Sequence, residues 1–240
     1  AVPGGEGPFP AIALGQHRLG IDVFMRDRCN RLADAGFAAA APDLYHRSWA
    51  PEQFDEVTAL PRGDEHAESI LQPLSGKMHD EEIVHDMNAA LSLLKEQPQV
   101  GSSPLGVLGF CMGGRVAYLM ATRNARLKAT ACFYPGNVFT PRGGGPAPFA
   151  ASDRIMSPMI GLFGNLDTSP SPSPYPPHTR GSCDYDQQVL ARCIAGRWHG
   201  LPVYMTFAMW YCKSHCSVRW LACEFRGLRS NGRSSCGRSC

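Results

Sequence analysis

Leu105-Gly106-Val107-Leu108-Gly109-Phe110-Cys111-Met112-Gly113-Gly114-Arg115 is the stretch on which the fold turns. Its first six residues are apolar or glycine and read as a buried strand. Gly113-Gly114 then start a helix that runs to about Thr122. Between them, Gly109-Phe110-Cys111-Met112-Gly113 has the form G-x-C-x-G. A strand before and a helix after is the context in which a sharp turn can lift a nucleophile clear of a sheet, here with Cys in place of Ser. The glycines have a steric reason: side chains two residues either side of a strained turn would collide with it. The turn would present the thiol at the carboxyl edge of the sheet. It would also place the Met112 N–H at a helix N-terminus, where it can hold a developing oxyanion. The plain alternative is a packed cysteine in a glycine-rich turn, the commoner role of a free Cys.

Working outward, the same alternation recurs. Ala11-Ile12-Ala13-Leu14, ended by Gly15, reads as a strand. Asp22 can cap a helix over residues 23–35, which Gly36 stops. Residues 37–41 read as the next strand, ended by Pro42-Asp43. Residues 48–78 carry Pro, Gly and charge without firm period, and are expected to be mostly loop with one short helix. Asp80 opens a helix with Ile83, Met87, Ala90/Leu91 and Leu94 at helical spacing, closed by Pro98. Leu127 to Tyr134 and Met159 to Phe163 are further strands, and Pro141 to Pro148 reads as a surface loop. Strand and helix in alternation predict a mostly parallel sheet with helices on both faces.

The composition divides the chain. It has 240 residues and a net charge of +2, which makes no general case for nucleic acid. No run approaches the roughly 18 apolar residues of a membrane-spanning helix. Residues 1–167 carry 14 Lys/Arg and 18 Asp/Glu, a net −4, whereas residues 168–240 carry 9 and 3, a net +6. Cys29, Cys111 and Cys132 lie in the first part, and the other seven of ten cysteines lie in the second. The expected organisation is an α/β domain over 1–167 and a Pro-rich, then Cys-rich segment over 168–240 that could complete it. The opening Ala1-Val2-Pro3-Gly4-Gly5 lacks an initiator Met, so truncation or trimming at the N-terminus is expected.

Gly109-Phe110-Cys111-Met112-Gly113-Gly114-Arg115 resembles the nucleophile turn of the dienelactone hydrolase family. Three other segments agree in order: Phe24-Met25-Arg26-Asp27 with the run Arg31 to Phe37, Ala41-Pro42-Asp43-Leu44-Tyr45, and Gly161-Leu162-Phe163-Gly164-Asn165-Leu166-Asp167. The resemblance covers about residues 10–170. It implies an α/β-hydrolase-type sheet and hydrolysis of a small ester, lactone or thioester through an acyl-enzyme. Cys111 would be the nucleophile, Asp167 would orient the catalytic histidine, and the N–H groups of Met112 and about Arg18 would form the oxyanion hole. No cofactor is implied, and the expected protein is a cytoplasmic monomer or homodimer acting on a small molecule. A non-catalytic homologue is the competing expectation. One departure lies at His17, where prototype enzymes carry a Glu that contacts the nucleophile; His17 either works differently or only lines the cleft.

The last third departs further. After Asp167 the family expects a helix, a strand and a Gly-His motif, but residues 168–177 hold five prolines, which forbid a regular helix. Asp184 to Ile194 could be the delayed helix, and Leu201 to Tyr211 a strand. His199 lies 32 residues after Asp167, the family spacing, and is preferred as the catalytic histidine. His215, after the apolar run, competes for the role, and His178 is the weakest choice. The tail is also what an out-of-frame translation would give, Ser230 to Cys240 above all. Zinc on Cys212, His215, Cys216 and Cys223 is a sharper alternative, though paired C-x-x-C knuckles are missing.

Overall fold

A computed structural model describes residues 1–61 and 64–164. Beyond them it describes the backbone of six short strands at 180–181, 189–194, 197–198, 201–202, 209–210 and 219–220. The chain forms two units, Ala1–Tyr204 and Met205–Cys240.

In the first unit the order is β1 (Ala11–Gly15), α1 (Val23–Asp34), β2 (Ala38–Ala40), α2 (Pro51–Ala59), α3 (Glu65–Gly76), α4 (Asp80–Glu96), β3 (Leu105–Phe110), α5 (Met112–Arg123), β4 (Ala129–Phe133) and β5 (Met159–Gly164). A 3-10 segment, Pro148–Arg154, precedes β5. β6 (Arg180–Gly181) and β7 (Val189–Ile194) follow it. The sheet order is β2-β1-β3-β4-β5-β7-β6. The five strands β2, β1, β3, β4 and β5 are parallel; β7 runs antiparallel to β5, and β6 antiparallel to β7. The expected mostly parallel α/β sheet is therefore present.

Local chemistry explains the helices. Asp22 caps α1, its carboxylate accepting from the Met25 N–H at 3.0 Å. α4 carries Asp80, Glu81 and Glu82 in its first turn and Lys95 in its last, signs that suit the helix dipole. Ile83, Met87, Leu91 and Leu94 form its buried stripe. Alternation along the strands then sorts the layers. Leu105 and Val107 of β3 join a core with α4 and α5, including Met87, Leu91, Val116 and Leu119. Phe110, of the opposite parity, meets Phe24 of α1 with ring centroids 5.3 Å apart. Helices thus cover both faces.

Two expectations need correction. Residues 48–78 hold two helices rather than loop with one short helix. Pro51 stands at the start of α2, where a missing N–H costs nothing. Asp64 caps α3 by accepting from Ala67 N–H at 3.0 Å, and Ala67, Leu71 and Leu74 bury one face of it. The delayed helix over 184–194 is also overturned: Val189–Ile194 is a strand, paired along its length with the β5 edge. An open edge of unpaired backbone groups favours pairing of an apolar segment over a helix there. The apolar run 201–211 contains two short strands, Leu201–Pro202 and Met209–Trp210. They pair with Arg197–Trp198 and Arg219–Trp220 respectively; residues 203–208 and 211 of the expected strand lie outside the described residues.

One buried ion pair anchors α5. Arg115 and Asp80 are each about 1% exposed, with Nη1–Oδ1 at 2.6 Å and Nη2–Oδ2 at 3.0 Å. Nε and Nη2 of Arg115 also donate to the carbonyls of Asn137 and Thr140, at 3.0 and 2.8 Å. Each guanidinium nitrogen thus has a partner, and the helix behind Cys111 is tied to the start of α4 and the loop after β4.

Candidate active site

Chain order along the sheet reverses between β1 and β3: the chain leaves β1 toward β2, then returns to lay β3 on the other side. In open α/β sheets the crevice beyond the strand ends at such a point is where ligands bind. A cleft lies there, lined by His17, Arg18 and Leu19 after β1, Phe24 of α1, Phe110 and Cys111 after β3, and Tyr134 after β4.

Cys111 sits in the turn with φ 55° and ψ −118°, a region that L-residues avoid. Three glycines make the turn possible. A Cβ on Gly109 would lie 1.9 Å from the Gly113 carbonyl oxygen, and one on Gly113 would lie 2.1 Å from that of Gly15. β1, β3 and α5 therefore meet backbone to backbone. The Cys111 N–H donates to the Phe133 carbonyl at 3.0 Å, and Tyr134 N–H donates to Leu162 at 2.6 Å, so the ends of β3, β4 and β5 are held level. The Cys111 side chain is exposed. The N-terminus of α5 begins at the next residue, Met112. Cys132 is buried, and desolvation pushes its thiol far up, which makes it inert.

The wall from β1 is braced from three sides. The Gln16 side-chain oxygen accepts from Leu44 N–H at 2.8 Å. The Tyr45 hydroxyl donates to the Arg18 carbonyl at 2.9 Å. The Arg18 guanidinium forms a two-pronged pair with Glu68 of α3, Nη2–Oε1 being 2.9 Å. That pairing raises the Arg18 value and lowers that of Glu68 below the carboxylate range. Tyr45 is buried, and desolvation raises its phenol well above the ordinary value. His17 is buried to 4% exposure, with Nε2 2.9 Å from Oδ1 of Asp22. Its ring stands edge-on to Phe24 at 5.6 Å, and Phe110 stacks on Phe133 at 4.7 Å.

The structure thus brings together Cys111, Met112, His17 and Arg18, four of the six residues expected from sequence. Asp167 and His199, with the competing His215 and His178, lie outside the described residues, as do Cys212, Cys216 and Cys223. Sequence reasoning missed Leu19, Phe24, Phe110 and Tyr134 as cleft residues. Tyr134 had a signal: it directly follows a strand neighbouring the one that carries Cys111. Asp22 was legible as a helix cap but not as the partner of His17.

A profile of the dienelactone hydrolase family matches residues 1–174. The chain belongs to that family. A protein of Methylorubrum extorquens, provisionally named a carboxymethylenebutenolidase, is 31% identical over 172 residues, covering 70% of this chain and 54% of that one. The carboxymethylenebutenolidase of Pseudomonas putida is 35% identical over 118 residues, 49% of this chain and 47% of that enzyme. A crystal structure from Klebsiella pneumoniae, provisionally described as a dienelactone hydrolase, superposes with a TM-score of 0.58 at 28% identity, over 71% of this chain and 66% of that one. The chain spans about half the length of those two curated relatives. Among the described residues, no helix is long and apolar enough to cross a membrane.

Proposed function

We propose that this dienelactone hydrolase family member hydrolyses a small carboxylic ester or lactone, with Cys111 as nucleophile. The observation that carries the reading is the strained Cys111 turn, which opens its side chain into the cleft at the reversal of strand order. The Sγ attacks the carbonyl carbon. The resulting oxyanion lies over the start of α5, where the Met112 N–H and an N–H near Arg18 would hold it. Collapse breaks the C–O bond, the leaving oxygen takes the proton that the Cys111 thiol gave up through the triad histidine, and a thioester remains. Water then attacks that acyl group, and a second tetrahedral intermediate returns the thiol and a carboxylic acid. Asp167 and His199 would complete a triad, with His215 as the competing histidine; β5 ends at Gly164, three residues before Asp167, at the same sheet edge as Cys111. The small-molecule substrate enters from solvent, and the cleft's wall of Leu19, Phe24, Phe110 and Tyr134 suits an apolar or aromatic acyl group.

Hydrolysis of an activated acetyl ester and of a dienelactone by purified protein tests the reading, with Cys111→Ala as the blank. Turnover with trapping of an acyl group on the Cys111 peptide is the expected result. Folded protein that turns over no faster than the Ala variant would refute it and leave a non-catalytic homologue.

A further inference from the structure

Among the described residues that line the cleft, Arg18 carries the one guanidinium or ammonium group, and that group is already engaged. Its Nη1 and Nη2 donate to Oε2 and Oε1 of Glu68, the second at 2.9 Å, so one carboxylate takes both ends of the fork. The Arg18 side chain is 41% exposed and that of Glu68 32%, which puts the pair at the rim. Glu68 is delivered there by a fixed element. Asp64 caps α3, Ala67, Leu71 and Leu74 bury its inner face, and His66 reaches Glu56 of α2 at 3.3 Å. The Arg18 guanidinium lies within electrostatic reach of Cys111. Arg28 lies over the Phe24 ring at 4.8 Å, but it is buried, bonded to Asp27 at 2.8 Å, and does not line the cleft. His17 faces Asp22, and Leu19, Phe24, Phe110 and Tyr134 bring no positive charge.

We infer that Glu68, by holding Arg18, sets the charge preference of the cleft, which admits uncharged esters and lactones and disfavours those that carry a carboxylate. Glu68 touches no reacting atom; it determines specificity through Arg18. The inference deepens the hydrolase reading and, as a statement about substrates, rests on it.

The physical reason is competition. A carboxylate that enters the cleft loses part of its hydration and needs a partner of opposite sign. It finds the Arg18 fork occupied and a second negative charge beside it. An uncharged ester or lactone meets neither obstacle, and the apolar wall suits it. The acid formed by hydrolysis is itself an anion, so the same pairing favours its departure. Without the Glu68 charge, Arg18 becomes a free planar fork at the rim, the side chain best matched to a carboxylate.

The rate of Cys111 alkylation by iodoacetate, divided by the rate with iodoacetamide, tests the inference in the full chain without requiring turnover. The two reagents share a leaving group and differ by one negative charge. Both react with the same thiolate, so the protonation of Cys111 cancels from the ratio. Glu68→Gln is expected to raise the ratio about fivefold at low salt and hardly at all at about 1 M salt, where the Debye length is about 3 Å. Adding Arg18→Gln should return the ratio to the wild-type value, because the freed fork is then gone. Glu65→Gln, which removes an exposed charge from the same helix, should leave it near wild type. In turnover, the wild type should prefer an uncharged lactone to a carboxylated dienelactone, and Glu68→Gln should narrow that preference by a similar factor. An unchanged ratio in Glu68→Gln overturns the inference, as does an equal rise in Glu65→Gln or a rise that survives Arg18→Gln. Buried Cys132 reports loss of the fold by becoming reactive. If it does so in Glu68→Gln, the wild-type preference decides, and preference for the carboxylated lactone overturns the inference. If no ester is turned over while the ratio follows Glu68, the hydrolase reading fails and the charge preference of the cleft stands. If Cys111-dependent turnover coexists with an unchanged ratio, the reverse holds.

Discussion

Replacing Gly109 by Ala adds one methyl group where, among the described glycines, the backbone approach is tightest. Its Cβ would stand 1.9 Å from the Gly113 oxygen, 2.2 Å from the Gly113 carbon and 2.8 Å from the Gly114 nitrogen, all backbone atoms of α5. Cβ contacts under 3.0 Å essentially do not occur, so β3 and the start of α5 must part by about 1.1 Å. α5 cannot retreat cheaply, because Gly113 already lies against the Gly15 carbonyl and Arg115 is locked to Asp80. Overpacking of this kind costs about 1–3 kcal/mol. A misplacement of about 1 Å at reacting groups can cost about a hundredfold in rate. The expectation is therefore a folded protein with its denaturation midpoint lowered by about that energy and hydrolysis down by about two orders of magnitude. Urea unfolding followed by tryptophan fluorescence measures the first, and ester turnover the second. Gly136→Ala is the matched control, since its added methyl meets nothing within 4 Å and Gly136 has no positive φ. Gly109→Ala with the stability and rate of Gly136→Ala would refute the argument that backbone contact fixes Cys111.

Four further outcomes are expected. Arg115→Met strands a buried Asp80 carboxylate, and denaturant unfolding should show a loss of about 3–5 kcal/mol. Tyr45→Phe removes the hydroxyl that holds the Arg18 carbonyl; a loss of about 1 kcal/mol in unfolding should accompany a larger loss in turnover, because the loop beside Cys111 loosens. Burial pushes the Asp86 carboxyl up, but hydrogen bonds from Arg47 and His85 and the nearby positive charges outweigh it, and the net value lies below the ordinary one. A depressed value in the folded state stabilises the protein above the unfolded value of about 3.9 and loses that contribution as pH falls through the folded one. Asp86→Asn should accordingly flatten the loss of melting temperature between pH 5 and pH 3. Leu119→Ala empties a fully buried site and should cost about 2–5 kcal/mol by urea unfolding, with little effect on the form of the pH profile.

Much of this architecture could be read from the chain because its signals are local. Asp22, Gly36 and the apolar stripe of α4 announce their helices within a few residues, and the glycines around Cys111 betray a close backbone approach. What escaped reading depended on distant partners. α2 and α3 looked irregular because Pro51, Pro61 and Pro73 break the pattern, yet Ala67, Leu71, Leu74 and Met78 already held helical spacing and needed the core to make it count. The strand at Val189–Ile194 was mistaken for a helix because the pairing edge of β5, not the segment's own sequence, decides it. The His17–Asp22 pair spans five residues across a turn closed by the His17–Gly20 bridge, a spacing that signals neither helix nor strand.

The origin of the cleft's surfaces has a consequence for how the site can diversify. The pivot that aims Cys111 is made of residues without side chains, Gly15, Gly109 and Gly113, on β1, β3 and α5. Leu19, Phe24 and Tyr134 come instead from a loop, the first turn of a helix and the residue that follows β4. Substitutions can therefore reshape the cleft wall while leaving the pivot untouched, whereas the pivot tolerates almost nothing. A library randomised at Leu19, Phe24 and Tyr134 should yield many folded members that differ in ester preference, and one randomised at the three glycines should yield very few folded members at all.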